Sequence, residues 1–100
     1  MAATRLIRTR CGVRVQAQQT PDGAWLIEPL TRCCGARPVR TGDGIRCSGC
    51  RAYLPDAWGS GRPFSAIWSA TQQAGCPDAE RCAIDAMWSL QEEIGAAVGA

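Results

Sequence analysis

Apolar and polar residues alternate along the N-terminal third of the chain. Between Leu6 and Ala17 one side of the alternation holds Cys11, Val13, Val15 and Ala17, and the other holds Gly12, Arg14 and Gln16. A period of two predicts a single β-strand with one buried face. A turn with Pro21 and Gly23 follows, and a second strand is predicted over 24–30. Residues 1–30 are therefore predicted to form a β-hairpin.

The C-terminal third has the spacing of helices. Pro63 suits a first helical turn, and apolar positions recur at Phe64, Ile67, Trp68 and Thr71, which predicts a helix over 63–73. Gly75 ends it, and a longer helix is predicted from Pro77. The predicted apolar stripe of this second helix is Ile84, Met87, Trp88, Gln91, Ile94 and Val98, with Ala83 and Leu90 beside it. An antiparallel two-helix hairpin over 63–98 follows, with the Trp and Met stripe in the core.

The middle of the chain, residues 31–55, is predicted to form a small β core. Short β-capable segments at 38–40 and 45–47 flank the turn-forming residues 41–44, and a third strand is predicted within 51–55. Residues 56–62 are rich in glycine and serine and predict a linker, in which Trp58 is expected to be buried. The whole chain, 1–100, is thus predicted to be one small α+β domain.

Composition narrows the classes of function. The chain has 100 residues, seven cysteines and no histidine. Without histidine the usual general base is missing, and no Gly-rich loop with lysine exists to hold phosphates, so we expect no enzyme and no small-molecule substrate. The N-terminus has no secretory pattern and no apolar run reaches eighteen residues, which predicts a cytoplasmic protein without a membrane segment. In a reducing compartment an odd number of cysteines favours metal ligands or free thiols over disulfides.

Four of the seven cysteines lie between positions 33 and 50. Cys47 and Cys50 form a C-x-x-C pair, the doublet Cys33-Cys34 lies upstream, and twelve residues separate Cys34 from Cys47. Two tight turns that each present thiolates, joined by a hairpin, are the arrangement that holds one tetrahedral Zn²⁺. Four thiolates close the coordination sphere, which is typical of a structural metal site.

This stretch resembles the zinc-ribbon family over about residues 24–55. The resemblance rests on Cys47-Ser48-Gly49-Cys50 and on Cys34-Gly35, while Thr31 stands where a ribbon has its first cysteine. It implies bound Zn²⁺, although four thiolates also serve iron. Cys33 is the first choice for the fourth ligand beside Cys34, Cys47 and Cys50, and the alternatives are Cys11, Cys76 and Cys82.

Charge is divided along the chain. Residues 1–62 hold ten arginines against four acidic residues, a balance of +6, whereas residues 63–100 hold one arginine against five, a balance of −4. The resemblance and the basic half together suggest contact with nucleic acid or a transcription-type machine. The candidate phosphate ligands are Arg37, Arg40, Arg46 and Arg51.

The alternative is a protein–protein adaptor or small inhibitor in which the metal only holds the shape. Thiol–disulfide chemistry at Cys47 and Cys50 is the third hypothesis.

Overall fold

The fold is known from a computed structural model, which describes residues 3–94. Two antiparallel three-stranded sheets precede two helices, so the predicted α+β class is confirmed. The first sheet has the order β1-β2-β3 and comprises β1 Thr4–Arg8, β2 Arg14–Gln19 and β3 Trp25–Pro29. The second has the order β4-β5-β6 and comprises β4 Pro38–Thr41, β5 Gly44–Cys47 and β6 Tyr53–Leu54. A 3₁₀ helix, Asp56–Gly59, leads to α1 Pro63–Gln73 and α2 Ala79–Ile94.

The N-terminal hairpin prediction was wrong in one respect, because the predicted first strand is two strands. The chain reverses between β1 and β2, where the Thr9 N–H donates to the Val13 carbonyl and Gly12 has a φ of 91°. A left-handed residue cannot continue a strand, and glycine adopts this conformation without steric cost. The result is a three-stranded meander, with Ile7 opposite Val15 and Ala17 opposite Ile27.

The two helices form the predicted hairpin, but the buried face of α2 was predicted wrongly. The bounds of α1 match the prediction, and its buried residues include Ile67 and Ala70. The buried residues of α2 are Cys82, Ala83, Ala86 and Leu90, whereas Trp88 is 62% exposed. Trp88 lies two residues, or about 200°, from both Ala86 and Leu90 around the helix. Small alanines let α2 approach its neighbours closely, so the large side chain faces outward. Val98 of the predicted stripe lies outside the described residues.

Residues 56–62 are not a linker between two halves. Their 3₁₀ helix buries Trp58, as expected, beside Ile45 of the second sheet. A single apolar cluster joins both sheets and both helices: Val13, Val15, Ala17, Ile27, Ile45, Trp58, Ile67, Ala70, Ala83, Ala86 and Leu90. The second sheet, which carries the four-cysteine stretch, is therefore attached to the rest of the protein by packing. Between residues 3 and 94, no helix has both the length and the apolar character that crossing a membrane requires.

Candidate metal centre

Two turns with the same hydrogen bonds face each other at one end of the second sheet. In the turn 31–36 the Gly35 N–H donates to the Thr31 carbonyl at 2.8 Å, and the Thr31 N–H donates to the Ala36 carbonyl at 2.9 Å. In the turn 47–52 the Arg51 N–H donates to the Cys47 carbonyl at 2.9 Å, and the Cys47 N–H donates to the Ala52 carbonyl at 2.8 Å. Both turns close on a left-handed residue, Gly35 with a φ of 63° and Arg51 with a φ of 68°.

The equivalent turns bring the four predicted ligands together. The sulfurs of Cys33, Cys34, Cys47 and Cys50 all lie within 4.8 Å of one another. The Cys33 sulfur is 3.6 Å from that of Cys47 and 3.4 Å from that of Cys50. Four sulfurs at 2.3 Å from a tetrahedral metal are about 3.8 Å apart, so this cluster is compatible with a metal ion. Cys33 completes the set, because Cys11, Cys76 and Cys82 form a separate cluster of their own.

Thr31 occupies the first position of its turn and is placed to donate a hydrogen bond to the Cys47 sulfur. By the shared hydrogen-bond pattern Thr31 is equivalent to Cys47, and Cys34 to Cys50. The Thr31 hydroxyl accepts the Ala36 N–H at 3.1 Å and lies 3.2 Å from the Cys47 sulfur, to which it can therefore donate its proton. Its side chain is only 1% exposed. Sequence reasoning missed this role, and the signal was a polar residue at the position where the motif requires a cysteine.

The surroundings of the sulfurs favour negative charge at Cys47. Its pKa is lowered to about 6, first by the Thr31 hydroxyl and then by the backbone N–H groups of Cys50 and Gly49, which stabilise the thiolate. Hydrogen bonding with the Cys50 sulfur instead raises the pKa of Cys34 to about 12. Several thiolates at this distance repel one another, and a divalent cation between them removes that repulsion and deprotonates the remaining thiols. The donor set therefore fits a thiophilic cation.

Replacing Thr31 with valine is expected to weaken metal binding about 10- to 100-fold, because an outer-shell donor to a ligand sulfur is lost. Competition with a chromophoric chelator measures this change. Thr31→Ser keeps the hydroxyl and should retain most of the affinity, so it separates the hydrogen bond from the packing of the methyl group. Equal affinities for the valine and serine variants would contradict the donor role.

Gly49 leaves room for the Cys34 side chain. A Cβ added at Gly49 would lie 2.7 Å from the Cβ of Cys34 and 2.9 Å from its sulfur. We therefore expect Gly49→Ala to displace Cys34 and lower metal affinity, measured by the same competition. Gly42→Ala is the matched control, since a Cβ there meets no atom within 4 Å. If both variants bind metal like the wild type, Cys34 does not need its present position.

The four candidate phosphate ligands are placed differently from one another. Arg37 pairs with Glu28 of the first sheet, and Arg40 donates to the Gly59 carbonyl. Arg46 contacts Asp43 at 2.8 Å and lies over the Tyr53 ring, with its Cζ 3.7 Å from the ring centroid. These interactions hold the Asp43 pKa well below its ordinary value, chiefly through the Arg46 guanidinium. The Arg51 side chain is exposed, and within residues 3–94 no acceptor is found for its guanidinium.

Part of the charge division is neutralised within the fold. Arg10 pairs with Asp85, and the Arg5 side chain lies 3.8 Å from Glu93, so two contacts connect the basic half with the acidic helix α2. Both pairs are exposed to solvent and each contributes little stability. The acidic helices therefore do not point entirely away from the basic half.

Comparisons with known proteins found no relative of this chain. The chain matches no family model, no curated protein and no solved structure. No family is therefore shown for this chain, and the two turns with their four cysteines are the evidence for a metal site.

Proposed function

We propose that Cys33, Cys34, Cys47 and Cys50 hold one structural Zn²⁺ in a ribbon whose first turn has exchanged a cysteine for Thr31. The observation that carries this proposal is the meeting of four sulfurs at the ends of two turns with identical hydrogen bonds. In the second turn the Gly49 N–H lies 3.4 Å from the Cys47 sulfur, whereas in the first turn the Ala36 N–H donates to the Thr31 hydroxyl. Backbone N–H groups beside a sulfur support thiolates, which are the ligands that Zn²⁺ takes in closed sites.

The proposed metal has a structural role. Four protein ligands fill a tetrahedral sphere and leave no position for a substrate. Cys47 is fully buried at the end of β5, so the metal would tie the exposed turns to the core. We choose Zn²⁺ over iron because a closed tetrahedral set of four cysteines is the usual ligand set of structural zinc sites.

Metal analysis combined with thiol mapping tests this proposal directly. Native protein purified under reducing conditions is alkylated, and mass spectrometry then locates the modified cysteines. We expect zinc in the protein and protection of Cys33, Cys34, Cys47 and Cys50, followed by their full modification after chelation. Rapid alkylation of the exposed thiols of Cys33, Cys34 and Cys50 in freshly purified protein that contains no zinc would overturn the proposal. Bound iron in place of zinc would overturn the choice of metal.

Nucleic-acid contact through the ribbon is the second candidate function, and Arg51 is the observation that favours it. A left-handed conformation costs a residue with a side chain about 1–2 kcal/mol, and glycine occupies the equivalent position of the other turn. Strain of this kind is concentrated at functional sites. Arg51 directly follows Cys50 and extends into solvent, where its guanidinium can meet a phosphate oxygen. Arg37, Arg40 and Arg46 would first have to give up their present partners.

Arg51→Gly is expected to change stability and binding in opposite directions. Glycine relieves the left-handed strain, so the free energy of unfolding should rise by about 0.5–1 kcal/mol. Affinity for nucleic acid should fall, and the slope of log K against log salt should become shallower by about one unit for the lost phosphate contact. Chemical denaturation and a binding series in increasing salt measure the two effects.

The control for Arg51→Gly is Arg8→Gln, which removes one exposed positive charge from the first sheet. It should leave the salt slope nearly unchanged. If the wild-type protein shows no salt-dependent binding to single-stranded or duplex nucleic acid at low ionic strength, the nucleic-acid proposal fails. The adaptor alternative then replaces it, with the exposed Trp88 as the first residue to test.

A further inference from the structure

The remaining three cysteines meet at a second place in the fold. Cys11 lies in the turn between β1 and β2, Cys76 lies in the connection between the helices, and Cys82 lies in the first turn of α2. Their sulfurs all lie within 4.8 Å of one another, and those of Cys76 and Cys82 are 3.1 Å apart. The turn between β1 and β2 and the distant segment 76–82 thus place three sulfurs at a common point. The two clusters together account for all seven cysteines of the chain.

A buried threonine supports Cys11 in the same way that Thr31 supports Cys47. The Thr9 side chain accepts the Val13 N–H at 3.0 Å and lies 3.1 Å from the Cys11 sulfur. Because the oxygen already accepts the backbone N–H, its own proton can be donated to the sulfur. Thr9 is only 7% exposed, so this donor is shielded from solvent and fixed in place. Donors of this kind orient ligand sulfurs and stabilise their charged form.

A second buried threonine holds the loop that presents Cys76. The Cys76 N–H donates to the Thr71 carbonyl at 3.1 Å, and the Thr71 hydroxyl lies 2.8 Å from the Trp68 carbonyl and 3.2 Å from the Ala79 carbonyl. Thr71 is 0% exposed. Within residues 3–94 the buried polar side chains are Thr9, Thr31 and Thr71, and each of them secures a cysteine of one of the two clusters.

The second cluster differs from the first because it opens into a cavity. A cavity of about 300 Å³ is lined by the three cysteines together with Pro77, Asp78, Arg10 and Arg81. Cys82 forms its buried wall, whereas Cys11 and Cys76 are half-buried. Three thiolates and one divalent cation carry a net charge of −1, and the charged residues of the lining are Asp78 together with Arg10 and Arg81, which both contact Asp85.

We propose that Cys11, Cys76 and Cys82 form a second metal site, which binds a thiophilic divalent cation such as Zn²⁺ through three thiolates and leaves its fourth position open to the cavity. A three-ligand site keeps one position for water or another exogenous ligand. The cavity is wide enough for a small thiol or anion beside the metal. This site also fastens the turn between β1 and β2 to α2 and to the connection between the helices. The four-cysteine cluster lies within residues 33–50 and joins none of these segments.

Simple packing accounts for Cys82 and for part of Cys11, which packs against the apolar cluster, but not for Cys76. Cys82 is buried like an ordinary apolar residue, and free cysteine is common in cores. Cys11 and Cys76 line an open cavity, where packing gains little, and a shielded threonine hydroxyl contacts Cys11. A disulfide between Cys76 and Cys82 is the competing chemistry, and it would leave Cys11 alone.

Metal content and thiol mapping on the full chain separate these outcomes. We expect two equivalents of zinc in the wild-type protein, with all seven cysteines protected from alkylation. Cys11→Ser should lose one equivalent and make the half-buried Cys76 reactive toward the reagent. Thr9→Ser keeps the hydroxyl and should retain both equivalents. Circular dichroism on each variant verifies that the fold persists, and if Cys11→Ser unfolds, the wild-type stoichiometry and protection pattern decide alone.

The open position is tested with Co²⁺, whose visible spectrum depends on its ligands. Addition of 2-mercaptoethanol to the wild-type protein loaded with Co²⁺ should shift the spectrum, and the shift should be absent in Cys11→Ser. No shift in the wild type would overturn the open position.

The alkylation pattern distinguishes failure of this proposal from failure of the structural zinc proposal. One equivalent of zinc with Cys11 and Cys76 reactive would overturn the second site while leaving the four-cysteine site intact. A mass two daltons below that of the reduced chain, mapped to Cys76 and Cys82, would identify the disulfide and also overturn the second site. One equivalent that protects only Cys11, Cys76 and Cys82 would support the second site and overturn the first.

Discussion

Cys47→Ser is expected to abolish metal binding at the four-cysteine centre together with cooperative unfolding of the domain. Binding of a structural Zn²⁺ contributes on the order of 10 kcal/mol to folding, and the total stability of a small domain is about 5–15 kcal/mol. Cys47 is also 0% exposed at the end of β5, so its loss removes a ligand and places a hydroxyl in the core. Thermal unfolding followed by circular dichroism, with metal analysis of the same sample, measures both effects.

Cys50→Ser separates the metal from the packing in this experiment. The Cys50 side chain is exposed, so its replacement should release the metal to a weak chelator without a packing defect. Ser48→Ala changes an exposed neighbour that offers no sulfur and should behave like the wild type. If Cys47→Ser retains zinc and melts at the wild-type temperature, the cluster is not the structural centre that we propose.

Leu90→Ala is expected to destabilise the domain by about 3 kcal/mol, because a fully buried leucine leaves a cavity between α2 and its neighbours. For a domain of this size that loss lowers the melting temperature by about 12–24 °C. Leu90 is 0% exposed and belongs to the apolar cluster that joins both sheets and both helices. Chemical denaturation with and without added zinc measures the loss.

Trp88→Ala is the matched control on the same helix. Its side chain is 62% exposed, so truncation should change the free energy of unfolding by less than about 1 kcal/mol in spite of the larger volume removed. A large loss for Trp88→Ala and a small one for Leu90→Ala would mean that α2 presents its Trp and Met stripe to the core after all.

The sequence alone was sufficient to predict those elements that depend on interactions within a few residues. Pro63 at the start and Gly75 after the end predicted α1 with its observed bounds, and Gly75 has the left-handed φ of 78° that a helix end needs. The turn between β4 and β5 follows from Asp43 and from Gly44, which has a φ of 131°. These features depend on backbone preferences and on hydrogen bonds between residues close in sequence, which form without help from the rest of the fold.

The remaining features of the fold and of the two cysteine clusters were decided by contacts between segments far apart in sequence. The periodicity of α2 allowed more than one apolar face, and only packing against α1 and β1 selected the alanine face, since small residues permit the closest approach. The reversal at Gly12 divided an unbroken alternation into two strands that pair with each other. Cysteine spacing alone could not divide seven thiols between two places, because Cys11 and Cys82 are seventy-one positions apart and meet only when the first sheet packs on the helices. The identities of Thr9 and Thr31 are likewise plain in the sequence, but their hydroxyls gain a role only where the fold places a sulfur beside them.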